Sequence, residues 1–200
     1  MSEHYFTQKP QSKSKPQTWN YNVDNVNYSF TTDEGVFSKN TVDFGSRLLI
    51  DHFQQPEIEG DILDLGCGYG PIGIIIANKN TNRHIVMVDI NERAIQLAEQ
   101  NRVANNVSNA EVVLSDRFEQ LHDRTFAAII TNPPIRAGKK IVHQMFEESY
   151  QALQKHGELW VVIQKKQGAP SAKKKLEEIF QQVKTVTRKK GYYVLRAVKR

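Results

Sequence analysis

The chain has 200 residues, of which 39% are hydrophobic, and its formal net charge is +5 at pH 7. This length and apolar content suit one domain with a short additional segment. No apolar run approaches the roughly 20 residues that a membrane helix needs, and the single cysteine, Cys67, excludes an internal disulfide framework. We therefore expect a cytosolic protein with no membrane partner, and we also expect a monomer that binds no metal ion.

The first quarter of the chain predicts an arm, a hairpin and a helix. Residues 1–18 are rich in Ser, Gln, Lys and Pro, and we expect a flexible arm there. Residues 19–56 should pack on the larger domain that follows. Aromatic and β-branched residues alternate over 19–37, which predicts a small β-hairpin. Ser38 is the expected cap of a helix that runs to about Phe53.

Residues 57–200 alternate between predicted strands and helices. The strands are Ile62–Leu65, Ile85–Asp89, Val112–Leu114, Phe126–Thr131 and Leu159–Gln164, and the helices lie at about 71–79, 91–105, 139–154 and 171–181. Short, nearly all-apolar strands between helices indicate a parallel sheet with helices on both faces. Val183–Thr187 and Tyr192–Val198 flank a turn and predict a closing antiparallel hairpin. A mostly parallel seven-stranded sheet with such a hairpin is the Rossmann-like α/β fold of class I methyltransferases.

The cations are concentrated at the C-terminal end. Residues 164–200 hold 12 Lys and Arg against two acids, a net charge of +10 that leaves −5 for the rest of the chain. Clustered cations release counterions from a phosphate backbone, so this end favours a nucleic acid as partner. A solvated surface that keeps the protein soluble is the alternative.

A glycine-rich loop follows the first strand of the larger domain. The residues from Gly68 to Gly73 match G-x-G-x-x-G, a pattern that also occurs in dinucleotide-binding folds. Asp64, at the carboxyl end of the strand, would repel a pyrophosphate, whereas it suits the ammonium and sulfonium groups of S-adenosylmethionine. Gly66, Gly68 and Gly70 would let the backbone approach that cofactor closely.

Two further acids stand at strand ends. Asp89 ends the second strand, 25 residues after Asp64, where an acid can accept both ribose hydroxyls of a nucleoside. Asp116 follows the third strand and is placed to accept from an adenine amino group. Each could instead be a cap, Asp89 for a helix near Asn91 and Asp116 for a turn before Phe118. Three acids at successive strand ends favour cofactor binding.

The turn Asn132-Pro133-Pro134-Ile135 follows an apolar strand and points to the chemistry. The exocyclic amine of a base is a poor nucleophile because its lone pair is delocalised into the ring. The Asn132 side-chain oxygen and the next backbone carbonyl can accept both amine hydrogens and direct the lone pair toward a methyl group. Two prolines fix φ and make these acceptors rigid. The turn therefore predicts N-methyl transfer, with an ordinary loop after a strand as the alternative.

These motifs make the chain resemble the RsmC-type family of ribosomal RNA guanine-N2 methyltransferases, the "methyltransferase small domain" proteins, and especially their short single-domain bacterial members. The resemblance covers about residues 20–200. It depends on the stretches Gly35-Val36-Phe37-Ser38, Asp43-Phe44-Gly45-Ser46, Asp64–Gly73 and Thr131–Lys139. It implies S-adenosyl-L-methionine as cofactor, covered by Phe37 and Ser38, and Asn132 in contact with both cofactor and target amine. It also implies 16S rRNA or the small ribosomal subunit as partner.

Two departures from the family pattern affect the expected substrate. Many relatives carry an aromatic residue where Ile135 stands, to stack on the flipped base, and Ile135 stacks less well. Larger relatives also carry a duplicated N-terminal domain that is absent from this sequence, so the RNA target can differ. Beside the turn, Arg136, Lys139 and Lys140 are expected to hold RNA phosphates, and the tail from Lys165 onward is expected to hold more distant RNA.

Three other functions compete with this prediction. A protein-glutamine N5 methyltransferase shares the Asn-Pro-Pro turn, but the cations beside the turn favour RNA. A non-catalytic RNA-binding or ribosome-assembly factor could keep the fold, but Asn132 and the loop glycines are all present. A nicotinamide oxidoreductase is disfavoured by Asp64. We therefore predict methyl transfer to an exocyclic amine of an RNA base, guanine N2 in 16S rRNA.

Overall fold

The computed structural model describes residues 14–36 and 41–200, so the expected cofactor contacts at Phe37 and Ser38 lie outside the described residues. An N-terminal hairpin is present, with strands β1 (Gln17–Val23) and β2 (Val26–Thr32). Asp24 and Asn25 join them at φ of 50° and 63°. Positive φ at both turn residues is what a tight two-residue hairpin needs, and Asp and Asn tolerate it well.

The predicted arm over 1–18 is not loose at its C-terminal end. Strand β1 already begins at Gln17. Just before it, the Ser14 hydroxyl donates to the Asp33 carboxylate at 2.7 Å, and the Lys15 N–H donates to the same group at 2.5 Å. These hydrogen bonds tie the last residues of the predicted arm to the end of the hairpin.

Helix α1 (Phe44–His52) begins later than the sequence predicts. Its N-cap is Asp43, whose Oδ1 accepts from the N–H groups of Gly45 and Ser46 at 2.9 and 3.2 Å. The expected cap at Ser38 is therefore wrong. A carboxylate at the N-terminus also has the favourable sign for the helix dipole, which Ser lacks.

Seven further strands form one sheet, with four helices and two 3-10 turns between them. The strands are β3 (Ile62–Leu65), β4 (Ile85–Asp89), β5 (Ala110–Leu114), β6 (Phe126–Thr131), β7 (Leu153–Gln164), β8 (Gln182–Lys189) and β9 (Tyr192–Val198). The helices are α2 (Pro71–Lys79), α3 (Glu92–Ala104), α4 (Lys139–Ala152) and α5 (Ala169–Phe180), and the 3-10 turns are Ile135–Ala137 and Lys165–Gln167. The strand order is β5-β4-β3-β6-β7-β9-β8. Strands β3 to β7 are parallel and β9 is antiparallel to both neighbours, which confirms the predicted fold class.

The sheet separates two hydrophobic cores. Ile62 of β3 points into the core shared with α1, α2 and α3, whereas Leu63 and Leu65 point into the core shared with α4 and α5. All three are at most 1% exposed, and each such side chain stabilises the fold by about 1.5–3 kcal/mol. No helix in the described ranges is both long and apolar enough to cross a membrane.

Two asparagines, Asn101 of α3 and its C-cap Asn105, dock the hairpin beside the glycine-rich loop. Asn105 accepts from the Ser29 N–H at 2.9 Å and donates to the Ser29 carbonyl at 2.8 Å. One turn earlier, Asn101 accepts from the Thr31 N–H at 2.7 Å and donates to the Thr31 carbonyl and to the Tyr69 carbonyl at 2.9 Å each. The two amides thus form hydrogen bonds with backbone N–H and carbonyl groups of β2, as a neighbouring strand would.

Candidate active site

A cavity of about 670 Å³ opens at the carboxyl edge of the sheet, where β3 and β6 are neighbours. This is the topological switch point at which open α/β sheets bind ligands, and the volume suits a nucleoside-sized ligand. The predicted residues in its wall are Gly66, Gly68, Asp89, Asp116, Asn132, Pro133, Pro134, Ile135 and Arg136. The predicted residues that do not line it are Asp64, Gly70, Lys139 and Lys140.

The glycine-rich loop presents bare backbone to this cavity. Gly66 and Gly68 take φ of 79° and 57°, and a Cβ added to either would meet no atom within 4 Å. The N–H groups of Gly66 and Cys67 both donate to the Val88 carbonyl, at 2.9 and 2.8 Å, which fastens the loop to β4. The space that side chains would fill is therefore left for a ligand.

Asp89 faces the cavity with its carboxylate held by backbone. Its Oδ2 accepts from the Gly68 N–H and its Oδ1 from the Asn91 N–H, both at 2.9 Å. The cap of α3 is Asn91, which accepts from the Arg93 and Ala94 N–H groups, so the capping alternative for Asp89 is wrong. Burial raises the pKa of Asp89. Each carboxylate oxygen keeps a lone pair for a further donor such as a ribose hydroxyl.

Asp64 lies behind the loop, away from the cavity wall. It is 1% exposed, and its Oδ2 accepts from the Gly73 N–H at 2.8 Å while its Oδ1 has no hydrogen-bond partner. Burial raises its pKa to about 7. A Cβ on Gly73 would lie 2.4 Å from Met87 Cγ and 3.0 Å from that Oδ2. Asp64 thus fixes the start of α2, a placement that does not support the expected direct contact with an ammonium group.

Gly70 likewise supports the loop without lining the cavity. It is the N-cap of α2 at φ 94°, a conformation that favours glycine, and Pro71 follows as the first helical residue. Its carbonyl accepts from the Ile74 N–H at 3.0 Å. The structure gives Gly70 a role in turning the chain into α2, and its contact with the cofactor stays a prediction.

Asp116 lies in the wall together with Arg117. The Arg117 guanidinium donates to Asp116 Oδ1 at 2.7 Å and to Glu148 Oε2 of α4 at 2.8 Å. The turn that follows is capped by Ser115, whose hydroxyl accepts from the Gln120 N–H at 3.1 Å, so Asp116 is not the cap. Asp116 is thereby held at the cavity with one oxygen paired and the other able to accept.

Asn132 is the first residue after β6, and its amide has a defined orientation. Its Nδ2 donates to Ser46 Oγ at 3.1 Å and lies 3.4 Å from each carboxylate oxygen of Asp43. Because a carboxylate can only accept, the nitrogen must face Asp43, and Oδ1 is the atom left to accept from a ligand. The Thr131 hydroxyl donates to the Leu65 carbonyl at 2.8 Å and fixes the end of β6 to β3.

The rest of the turn forms one wall of the cavity. Pro133 is buried, and the Pro134 carbonyl accepts from the Ala137 N–H at 2.9 Å in the 3-10 turn that follows. Ile135 is partly buried against the α4–α5 core. Arg136 is exposed at the wall, whereas Lys139 and Lys140 are exposed on the first turn of α4, outside the cavity.

Residues 27–196 match the family model of the "Methyltransferase small domain". The chain belongs to the methyltransferase small domain family. The protein YbxB of Bacillus subtilis, which is described as uncharacterized, is 56% identical over 200 residues, covering all of both chains.

Two further relatives of this methyltransferase small domain have named activities. The ribosomal RNA large subunit methyltransferase G of Klebsiella pneumoniae is 26% identical over 95% of this chain and 51% of its own. The T. thermophilus 16S rRNA N2 G methyltransferase RsmC, solved in complex with AdoMet and guanosine, is 27% identical with a TM-score of 0.82. It matches 96% of this chain and 52% of its own. The chain thus spans about half the length of these two proteins.

The methyltransferase small domain has site residues that sequence reasoning assigned no role. Asp43 and Ser46 orient Asn132 from more than 80 residues away, and Arg117 positions Asp116. Tyr192, the first residue of β9, lines the cavity with its ring centroid 5.5 Å from that of Phe44. Burial and the nearby Asp43 raise the pKa of Tyr192. Only the stretch Asp43–Ser46 carried a sequence signal, through the family resemblance.

The described part of the chain has no cluster of side chains suited to bind a metal ion. No group of three or more His, Cys, Asp or Glu side chains in it is arranged to hold a metal ion. The acidic residues that do approach the cavity are engaged by backbone N–H groups, by Arg117 or by the Asn132 amide.

Proposed function

We propose that this methyltransferase small domain is an S-adenosylmethionine-dependent N-methyltransferase that acts on an exocyclic amine of an RNA base, namely guanine N2 in 16S rRNA. Two relatives support the RNA substrate, because both are named as ribosomal RNA methyltransferases. RsmC, with AdoMet and guanosine bound, supports the cofactor and guanine. The observation that carries the proposal is the amide of Asn132, which is oriented as an acceptor inside the cavity of the glycine-rich loop.

The residues present fit S-adenosylmethionine. Gly66 and Gly68 leave room beside the loop backbone, Asp89 can accept from the ribose hydroxyls, and Asp116 can accept from the adenine amino group. When bound, this cofactor supplies an electrophilic methyl group on a sulfonium. The carboxylates at the ends of β4 and β5 give this half of the site a negative potential, which suits a cationic ligand and opposes a pyrophosphate.

The acceptor side works through Asn132. Its Oδ1 accepts one hydrogen of the exocyclic amine, and the Pro133 carbonyl accepts the other, so the nitrogen lone pair turns toward the methyl group. Asp43 makes Asn132 Oδ1 a stronger acceptor, because the negative charge beside Nδ2 increases the electron density on Oδ1. These groups are preorganised, since Pro133 is buried and Ser46 holds the amide. The methylated amine then loses its proton readily, so no strong base is required.

Exposed cations near the turn support RNA over a protein amide. Arg136 lies in the cavity wall, and Lys139 and Lys140 follow on the same side of the site. The target base must leave its stack to reach the end of β6, and this is least costly in single-stranded or looped RNA. Three cations beside the entrance suit the phosphates on either side of such a base.

The test is methylation of ribosomal RNA purified from a strain in which this gene is deleted. The purified protein is incubated with that RNA and S-adenosylmethionine carrying a labelled methyl group, and the nucleosides are analysed by mass spectrometry. We expect label in N2-methylguanosine from 16S rRNA, and none with the Asn132→Ala variant over the same time. Label in no nucleoside, or only in nucleosides other than N2-methylguanosine, would contradict the proposal.

A further inference from the structure

The charged side chains at the carboxyl edge of the sheet differ between the two sides of the switch point. On the β3–β4–β5 side the cavity wall carries Asp89 and Asp116, and its cation, Arg117, is paired with Asp116 and Glu148. On the β6–β7–β9 side the same edge carries eight exposed cations. These are Arg136, Lys139 and Lys140 after β6, Lys165 and Lys166 after β7, and Arg188, Lys189 and Lys190 before β9. They meet there because β6 and β7 end at this edge whereas β9 begins at it.

Within the described ranges, none of these eight cations has a carboxylate within 4.0 Å. Other cations of the basic C-terminal end are compensated. Lys173 pairs with Glu177 at 3.2 Å and Lys175 with Glu147 at 2.5 Å, and Arg196 pairs with Glu158. The basic end predicted from sequence is therefore not one surface, and five of its cations without a salt bridge lie at the edge that holds the candidate active site.

Five of these cations form a continuous rim, which we call the hairpin rim: Lys165, Lys166, Arg188, Lys189 and Lys190. The Lys165 N–H donates to the Gly191 carbonyl at 2.7 Å, which joins the 3-10 turn after β7 to the hairpin turn before β9. Like charges on neighbouring turns repel one another, and a bound polyanion would relieve that repulsion.

Aromatic rings are interleaved with the hairpin rim. Lys190 Nζ lies 5.1 Å from the ring centroid of Phe44, and Arg188 Cζ lies 4.6 Å from that of Tyr193. Tyr192 lines the cavity on the same face of the sheet as Phe44, whereas Tyr193 packs on the other face. Phosphate-binding cations beside rings that can stack on bases are the features of a single-strand binding site, because bases in a duplex offer no free face.

We propose that the hairpin rim binds the phosphates of single-stranded RNA next to the target nucleotide, and that Tyr192 stacks on a base of the same strand. This inference rests on the proposed function, since it takes the base at Asn132 to belong to RNA. Strands β6 and β9 are separated by β7 alone, and the register places Tyr192 two residues farther along β7 than Asn132. Two strand spacings and two residue rises put the two residues about 12 Å apart. Tyr192 thus supplies, from another strand, the aromatic face that Ile135 does not.

The test compares three double variants that remove equal charge. Lys165 and Lys166, or Lys189 and Lys190, are replaced by Ala in the hairpin rim. The matched control replaces Lys155 and Lys184, which are exposed and near the opposite edge of the sheet. Binding of a fluorescein-labelled single-stranded RNA of about 12 nucleotides is followed by anisotropy between about 50 and 300 mM salt.

Removal of one cation–phosphate interaction should lower the slope of log affinity against log salt by about 0.7, or about fivefold in affinity at 0.1 M salt. A hairpin rim variant should therefore bind about 25-fold more weakly, and the control should bind like the wild type. Tyr192→Leu should weaken binding by about 5- to 100-fold, whereas Tyr192→Phe, which keeps the ring, should not.

Several outcomes would overturn the inference without touching the proposed function. In the first, the hairpin rim variants bind single-stranded RNA as tightly as the control variant does. In the second, Tyr192→Leu binds as tightly as Tyr192→Phe. In the third, the hairpin rim substitutions weaken the binding of duplex RNA as much as they weaken the binding of single-stranded RNA. Transfer of label to ribosomal RNA by the wild type, measured first, tests the proposed function separately. The wild type could instead methylate an acidic protein. If the hairpin rim variants then lose this activity but keep their RNA affinity, the surface is a protein-docking site and the inference is wrong.

Discussion

Asp43→Asn is the substitution that separates orientation of the Asn132 amide from the stability of the fold. Asp43 both caps α1 and faces Asn132 Nδ2 at 3.4 Å. Asn caps helices about as well as Asp, so α1 should stay intact, whereas Asp43→Ala should cost about 1 kcal/mol in the free energy of unfolding. The neutral amide that Asp43→Asn introduces can offer either an acceptor or a donor, so it no longer holds the Asn132 amide one way.

The expected fall in the methylation rate of Asp43→Asn follows from two effects. A freely reversing Asn132 amide would spend about half its time with the wrong atom toward the substrate, a twofold loss. The hydrogen bond to a charged acceptor that the substitution removes is worth about 1.5–3 kcal/mol at ordinary lengths, and at 3.4 Å the lower end applies. Since about 1.4 kcal/mol is tenfold in rate, the two effects multiply, and we expect the single-turnover rate to fall about 25-fold with unchanged cofactor affinity.

The assay is single-turnover methylation of ribosomal RNA, with calorimetric titration of the cofactor and thermal unfolding as controls. A double-mutant cycle with Asn132→Ala decides the route. If Asp43 acts through Asn132, Asp43→Asn should have no further effect in the Asn132→Ala background. Additive losses, or a weakened cofactor, would show that Asp43 touches a ligand itself and would refute the reasoning.

Three further outcomes can be measured. Asp89→Ala should weaken S-adenosylmethionine binding about ten- to a hundredfold, since it removes hydrogen bonds worth about 1.5–3 kcal/mol; unchanged affinity by calorimetry would exclude the ribose contact. Asp64 has a pKa of about 7 against an ordinary 3.8, so the folded protein retains a proton that the unfolded chain has released. The free energy of unfolding should therefore fall as pH rises from about 4 to 7, by at most about 1.4 kcal/mol per unit; urea titrations should show a flatter profile for Asp64→Asn, and equal profiles would exclude this effect. Replacing Arg136 and Lys139 with Ala should weaken RNA binding and lower its salt slope by about 0.7 for each phosphate that is no longer bound, with cofactor affinity unchanged; identical RNA binding would leave both as solvated cations.

The sheet and the cofactor half of the site could be predicted because their signals are local. Apolar runs such as Ile85–Asp89 end in an acid, and the parallel arrangement brings successive strand ends to one edge. Asp89 and Asp116 were therefore expected at the cavity, where they lie. The depth of Asp64 could not be foreseen, because whether a strand-end carboxylate faces the ligand or the helix behind the loop depends on where α2 packs.

The acceptor half depends on contacts between distant segments. The sequence predicted Ser38 as the cap of α1, whereas the cap is Asp43. The contact from Asp43 to Asn132 spans 89 residues and has no local sequence pattern. Tyr192 was expected in a hairpin, but only the insertion of β9 between β7 and β8 brings it to the cavity.

The measurement that tests the account most directly is single-turnover methyl transfer by the Asn132→Ala variant, with cofactor affinity measured on the same preparation. Asn132 acts on the amine in the transition state, so the account predicts a rate lower by about 10² or more, the scale for removing one preorganised polar group, with nearly unchanged affinity for S-adenosylmethionine. Transfer of the methyl group to the guanine amine at the wild-type rate would contradict the account.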